Sequence, residues 1–251
     1  MYYLLTNREK EIVELVYKFR FINRHQIQKL LNHKDARRIN AWLKILTEYN
    51  FLGRIYSRKL LENTRPAIYY LSSVGIRYIR EVNKLELKDV KKFYQDKNAS
   101  QKFIDHCINV SEFYTNMRAY EQTNDNKYFF YTKTQCYTNE LLSKLKPDLY
   151  MTKTKNNERN RFFLDILDPH VPRYALRYRI KQYIEFYDDW HEKEKFPYVL
   201  LVLPDQKKMK HLMKYASKQY FDEGLVFHFA TIDNLIKEDI ANLTWKVIQQ
   251  A

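Results

Sequence analysis

At 251 residues the chain is long enough for two domains, each with a core of its own. Three glycines and 22 tyrosines exclude a linker-rich or disordered protein; two cysteines, Cys107 and Cys136, with no CxxC pair exclude a cysteine-rich zinc site and suit a reducing compartment. The net charge of +14 is uneven: residues 1–97 carry 21 Lys and Arg against 10 Asp and Glu, whereas residues 98–251 carry 23 against 20, so a polyanion is the expected partner of the first portion.

The predicted elements begin with a helix opened by Thr6-Asn7-Arg8-Glu9, a capping-box pattern with Glu9 three residues after Thr6. Ile12, Val13, Leu15, Val16 and Phe19 make its buried stripe. Phe21-Ile22 breaks the period, and Asn23 caps a short helix over residues 24–31 with Ile27, Leu30 and Leu31 inward. A third helix, over residues 34–49, repeats Ile39, Trp42, Leu43 and Leu46 at i, i+3, i+4 and i+7. Arg37, Arg38, Asn40 and Lys44 fall off that stripe and leave the exposed side cationic. Two runs rich in β-branched and aromatic residues follow, 51–58 and 67–71, with the polar stretch 60–66 between them. Three short helices and a hairpin read as a winged helix-turn-helix over residues 1–82. In that reading Arg37, Arg38, Asn40 and Lys44 reach the major groove of double-stranded DNA, and Arg54, Arg58 and Arg65 of the hairpin meet phosphate or minor groove. Gly53 suits either close backbone packing or a turn.

Residues 72–79 start a fourth helix, and the mostly charged residues 83–99, with Leu85, Leu87, Val90 and Phe93 as their apolar members, read as a connecting segment. Residues 100–251 read as a second domain of order α-β-β-β-α-β-α-β-α. Its long first helix, 100–120, buries Phe103, Cys107, Val110, Phe113, Tyr114 and Met117. Strands follow at 128–131, 148–151 and 161–167, the last two joined by a polar loop over 153–160. After a helix over 173–190 comes 197–203, a continuous apolar run of the kind covered on both faces. A helix over 206–221, a strand over 225–230 and a helix from about Asp233 complete the chain. The expected class is α+β overall, a winged helix followed by an α/β domain. No run of roughly 18 apolar residues occurs, so no membrane partner is expected and the expected location is the cytoplasm.

Chemistry in the second domain is expected at two carboxylates. Asp148 begins one strand and Asp165 ends its hairpin partner, which can set the two side by side. Two such groups, with waters and a phosphate, form a hard-ligand site for Mg²⁺ or Mn²⁺. Strand-end carboxylates are commonly just solvated, but helix–three strands–helix–strand is the order of the PD-(D/E)xK nuclease core. Other chemistries fail on spacing: the seven histidines fit no zinc template, and neither GxxxxGK[ST] nor GxGxxG occurs.

The whole arrangement resembles the replication-relaxation family of plasmids and integrative elements, and the restriction-endonuclease-like relaxases related to it. The resemblance is carried by Tyr69-Tyr70-Leu71-Ser72-Ser73-Val74-Gly75, His106, Lys146-Pro147-Asp148, Phe163-Leu164-Asp165-Ile166 and the helix with Arg179 and Tyr183, and covers roughly residues 4–205. It implies a DNA-binding protein acting in replication initiation or conjugative mobilisation, with the second, restriction-endonuclease-like domain tied to nicking or initiation. It also implies a catalytic set of Asp148, Asp165 and Lys181, the two carboxylates holding the metal. The chain departs from the family's usual Leu-Glu-Ile-Asp, basic residue, Gly-Thr: it has Leu164-Asp165-Ile166-Leu167-Asp168-Pro169. Leu167 stands where a lysine or an acid belongs, and Asp168 is displaced by one residue onto the other strand face. The lysine role then passes to Lys181, or Arg179 steadies phosphate charge from the helix. Two readings stay open. One is a divalent-metal-dependent DNA-nicking relaxase; the other is a non-enzymatic winged-helix regulator whose nuclease-like domain serves dimerisation or partner binding. Both are compatible with a homodimer and with partners in the conjugation or replication machinery.

Overall fold

The computed structural model describes residues 3–56, 65–122, 127–137, 139–155, 158–191, 195–219, 221–233 and 245–249. The chain is mixed α+β and divides into two units, Met1–Thr115 and Asn116–Ala251.

The first unit opens with helices α1 (Asn7–Phe19), α2 (Arg24–Leu30) and α3 (Ala36–Glu48), with the short strand β1 (Ile22–Asn23) between the first two. Each start is set by a side chain that satisfies otherwise orphaned backbone N–H groups. Thr6 N donates to Glu9 Oε2 at 2.8 Å while Glu9 N donates to Thr6 Oγ1 at 3.4 Å. Asn23 and Gln26 exchange the same pair of bonds, at 3.1 and 3.0 Å, and Asp35 Oδ1 accepts from Arg37 N at 2.8 Å. Ile12, Val13 and Val16 of α1 are buried with Ile27 of α2 and Ile39, Leu43 and Leu46 of α3. Trp42, expected on that stripe, is half-buried and stands edge-on to His33, with ring centroids 5.2 Å apart.

Strands β2 (Leu52–Ile55) and β3 (Ile68–Leu71) pair antiparallel, and β1 adds to the other side of β3 in a three-stranded sheet of order β1-β3-β2. The tip expected between them, including Arg58, lies outside the described residues. Gly53 faces Tyr70 across the ladder, and a Cβ on it would fall 2.2 Å from the Tyr70 ring. Of the two roles open to this glycine, close packing is the one it serves.

Helix α4 (Ser73–Val82) is followed by α5 (Leu87–Val90) and a 3₁₀ helix, Lys91–Asn98. These residues, expected as a connector, are packed into the first unit. Three residues per turn put Val90, Phe93 and Asp96 on one face, and all three are buried. Arg20 donates to both Asp96 oxygens and lies 4.5 Å from the Phe103 ring centroid. The division between the units falls further on, inside α6 (Gln101–Gln122).

The second unit is built on a six-stranded sheet, in order β4 (Lys127–Thr132), β5 (Leu149–Lys155), β6 (Glu158–Ile166), β7 (Tyr198–Leu203), β8 (Phe227–Thr231) and β9 (Lys246–Ile248). β4, β5 and β6 run antiparallel, β6, β7 and β8 parallel, and β9 antiparallel to β8. Most of the polar stretch expected as a loop between β5 and β6 pairs as strand. Short helices α7 (Lys133–Cys136) and α8 (Leu142–Leu145) lie between β4 and β5. Helices α9 (Arg173–Asp188) and α10 (Gln206–Ala216) connect the parallel strands. Leu176, Ile180 and Tyr183 of α9 and Met209 and Leu212 of α10 share a core with Phe163, Val199, Leu201, Phe227 and Phe229. β7 is buried on both faces, as its unbroken apolar run requires. The body of the helix expected from Asp233 lies outside the described residues, and no described helix is long and apolar enough to cross a membrane.

Candidate functional site

Two places collect the residues singled out in the sequence, one in each unit. In the first, α2, α3 and the β2–β3 hairpin enclose a cleft of about 550 Å³. Asn40 and Lys44 line it from α3, and Arg54 and Arg65 from the hairpin. Arg24 and His25 complete the wall from the start of α2, two residues that periodicity alone did not single out. The lining holds four Lys and Arg against a single acid, Glu48, whose carboxylate is 3.7 Å from Lys44 Nζ. Burial, and then the nearby charges of Arg24 and Lys29, lower the pKa of His25, so the positive field here belongs to the arginines and lysines. Arg54 stacks over Tyr56, 4.6 Å from the ring centroid. Arg37 and Arg38 are exposed on the first turns of α3, outside the cleft lining.

In the second unit the register of the β5–β6 hairpin pairs Leu149 with Leu164, so one further step sets Asp148 opposite Asp165. The two are tied together: Asp148 N donates to Asp165 Oδ1 at 3.2 Å, and Ile166 N donates to Asp148 Oδ2 at 2.9 Å. Both side chains are buried, and each has a cation of the same chain against it. Lys133 Nζ donates to Asp148 Oδ1 at 3.1 Å. Arg179 donates from Nε to Asp165 Oδ2 at 2.6 Å and from Nη2 to Oδ1 at 3.1 Å, while Tyr183 OH donates to Oδ2 at 2.8 Å. Arg179 Nη1 also donates to Leu145 O and Gln182 Oε1.

The two basic residues expected near the acids stand in different places. Lys181 is exposed and lies two positions from both Arg179 and Tyr183. Two positions correspond to about 200° of rotation, which puts it on the side of α9 away from the carboxylates. Arg179 is bound to Asp165 and is not a free phosphate clamp. The lysine beside the acids is Lys133, at the first position of α7. Its placement follows from Thr132-Lys133-Thr134-Gln135, a capping box in which Thr132 N donates to Gln135 Oε1 at 3.0 Å. That pattern, directly after an aromatic strand, was the available signal.

The electrostatics follow from the pairing. The Asp148 carboxylate holds the Lys133 ammonium above its usual range, against an opposing effect of burial. Burial also opposes the charge on Arg179, but Asp165 outweighs it and the guanidinium stays charged. Burial and then Asp165 raise the Tyr183 phenol well above its ordinary value, so it remains a donor. The neighbouring Cys136 thiol is pushed up to about 12 by burial, which makes it inert as a nucleophile near neutral pH.

A divalent cation bridging Asp148 and Asp165 does not fit this donor set. The two oxygens of Asp165 accept four bonds from the chain itself, filling the acceptor capacity of a carboxylate. Lys133 and Arg179 together bring the two positive charges that Mg²⁺ or Mn²⁺ would supply. Among the described residues, no group of three or more His, Cys, Asp or Glu is placed to hold a metal ion.

A cationic helix-and-hairpin cleft in one unit and an internally paired acid couple at a sheet end in the other define a two-unit α+β protein with a charged cleft. Over residues 13–199 the chain matches the replication-relaxation family, and it belongs to that family. No curated protein and no solved structure matches it.

Proposed function

We propose that the protein binds duplex DNA of a mobile element, in its replication or mobilisation, through a winged helix made of α1–α4 and the β2–β3 hairpin. The family supplies the replication or mobilisation setting. The observation that carries the DNA reading is the cleft between α3 and the hairpin, with four cationic side chains to one acid. Exposed Arg37, Arg38, Asn40 and Lys44 run along α3, an element of the right width for the major groove. A phosphate strand bordering that groove then crosses the cleft, where Arg24, Arg54 and Arg65 meet it. Arginine can read guanine and Asn40 adenine through paired hydrogen bonds, so sequence preference resides on α3.

We infer further that the second unit, which we read as a restriction-endonuclease-like fold, works in that complex without metal-dependent cleavage. The saturation of Asp165 by Arg179, Tyr183 and the Asp148 backbone supports this reading over the nicking one. Two measurements test the two halves separately. In a mobility shift on duplex DNA, Arg38→Ala with Lys44→Ala weakens binding roughly tenfold or more; unchanged affinity would contradict the duplex reading. Supercoiled plasmid incubated with the wild type and Mg²⁺ or Mn²⁺ stays closed. Nicking that appears with metal and disappears in Asp148→Ala would overturn the non-cleaving half alone.

A further inference from the structure

The helices that cover the second unit's sheet carry a charged surface of their own, separate from both sites above. On α9, Tyr174, Tyr178 and Lys181 recur at i, i+4 and i+7, on the side opposite the buried Tyr183. Tyr174 is 76% exposed and Tyr178 58% exposed, which is unusual for side chains of that size. Arg173 and Arg177 occupy the flank of α9 next to α10. Arg177 donates to His211 Nε2 from Nε at 3.3 Å and from Nη2 at 3.1 Å, and lies over the Tyr215 ring, 5.4 Å from its centroid. Helix α10 contributes exposed Lys207, Lys210 and Lys214 and contains no Asp or Glu. Burial, then the charges of Arg177 and Arg173, lower the His211 pKa.

Charge alone on this surface would attract any polyanion. The tyrosines narrow the choice. Residues one helical turn apart stand about 5–6 Å from each other, so Tyr174 and Tyr178 offer two neighbouring ring faces beside a row of cations. Aromatic faces interleaved with arginine and lysine are the combination that holds unpaired nucleotides, because bases stack on the rings while the cations follow the backbone. A duplex keeps its base faces stacked inside and offers a helix only phosphates and groove edges, which leaves exposed ring faces without a stacking partner.

We propose that the α9–α10 face binds single-stranded DNA, with bases stacked on Tyr174 and Tyr178 and phosphates on Arg173, Arg177 and the α10 lysines. The assignment stands on this face alone and is independent of the α3 cleft. A protein with both surfaces could hold duplex and separated strand at once, as opening of an origin or a transfer site requires.

The test uses the full chain and fluorescein-labelled oligo-dT, read by fluorescence anisotropy. Tyr174→Ala with Tyr178→Ala weakens oligo-dT binding roughly tenfold or more, whereas Tyr174→Phe with Tyr178→Phe, which keeps the rings, binds as the wild type does. Arg38→Ala with Lys44→Ala lowers oligo-dT affinity less than the double tyrosine variant does, whatever it does to duplex binding, so the two assignments fail independently. Oligo-dT binding by the double alanine variant as tight as that of the wild type would overturn the proposal. So would displacement of the labelled strand by poly-glutamate as effective as by unlabelled oligo-dT, which would mark a surface for acidic protein. Tyr174 and Tyr178 are exposed, and an unchanged circular dichroism spectrum confirms that the variants are folded.

Discussion

Arg179 grips Asp165 with two arms, Nε to Oδ2 at 2.6 Å and Nη2 to Oδ1 at 3.1 Å, and both side chains are largely withdrawn from water. A buried pair of this kind is asymmetric in its energetics. Forming it recovers little beyond the desolvation of both ions, but removing one partner leaves the other charged and uncompensated. Arg179→Ala should therefore lower stability by about 3–5 kcal/mol, seen as a fall in the urea midpoint of the second unit. Arg179→Lys keeps a charge but loses the planar fork, and should fall between the wild type and alanine. An alanine variant as stable as the wild type would show that the Asp165 charge does not depend on Arg179, and the case against a metal there would weaken with it.

His228 gives the second unit a pH dependence. Its ring is half-buried on β8, edge-on to Tyr198 at 5.5 Å and to Trp245 at 6.4 Å between centroids. Burial lowers its pKa below the ordinary histidine value, partly offset by the nearby Val226 backbone. In the unfolded chain the imidazole titrates near its free value of about 6.5. The folded state is thus favoured most above that value, and stability is lost as the pH falls through it toward the lower folded-state pKa. His228→Phe removes one such proton uptake. Urea midpoints compared at about pH 7.5 and 5.5 should show a smaller acid loss in the variant than in the wild type. Equal losses would mean that His228 titrates alike in both states.

Much of this architecture could be read from local signals. Thr6 with Glu9 and Asn23 before Gln26 mark helix starts through bonds that span three residues, and the run 198–203 reports a strand buried on both faces. The adjacency of Asp148 and Asp165 was also accessible, because hairpin pairing fixes it. What escaped depends on contacts distant in sequence. Asp96 looks like one more charge in a polar segment, and only Arg20, 76 positions away, explains its burial. Lys133 opens α7 and Asp148 stands just before β5, and nothing in the spacing between them indicates a bond. β9, with only Lys246, Val247 and Ile248, is too short for a period to register. The charged residues 153–160 suggested a loop, yet β5 and β6 continue through most of them as a paired ladder whose end is largely exposed.

The two close-packed glycines of the first unit should respond differently to the same substitution. Gly75 lies in α4, and a Cβ there would fall 2.1 Å from the Phe51 carbonyl oxygen. That oxygen already accepts from Ser72 N at 3.0 Å and cannot withdraw without breaking the turn into β2. Alanine is the better helix former by about 1 kcal/mol, so propensity alone predicts that Gly75→Ala stabilises. The backbone clash acts the other way, and forcing extra volume into a packed position typically costs about 1–3 kcal/mol. At Gly53 the obstacle is the far end of the Tyr70 side chain, which can rotate aside. Gly75→Ala should therefore lower the thermal midpoint of the first unit clearly, and Gly53→Ala by less. The reverse order would show that α4 can shift away from Phe51 more easily than Tyr70 can turn.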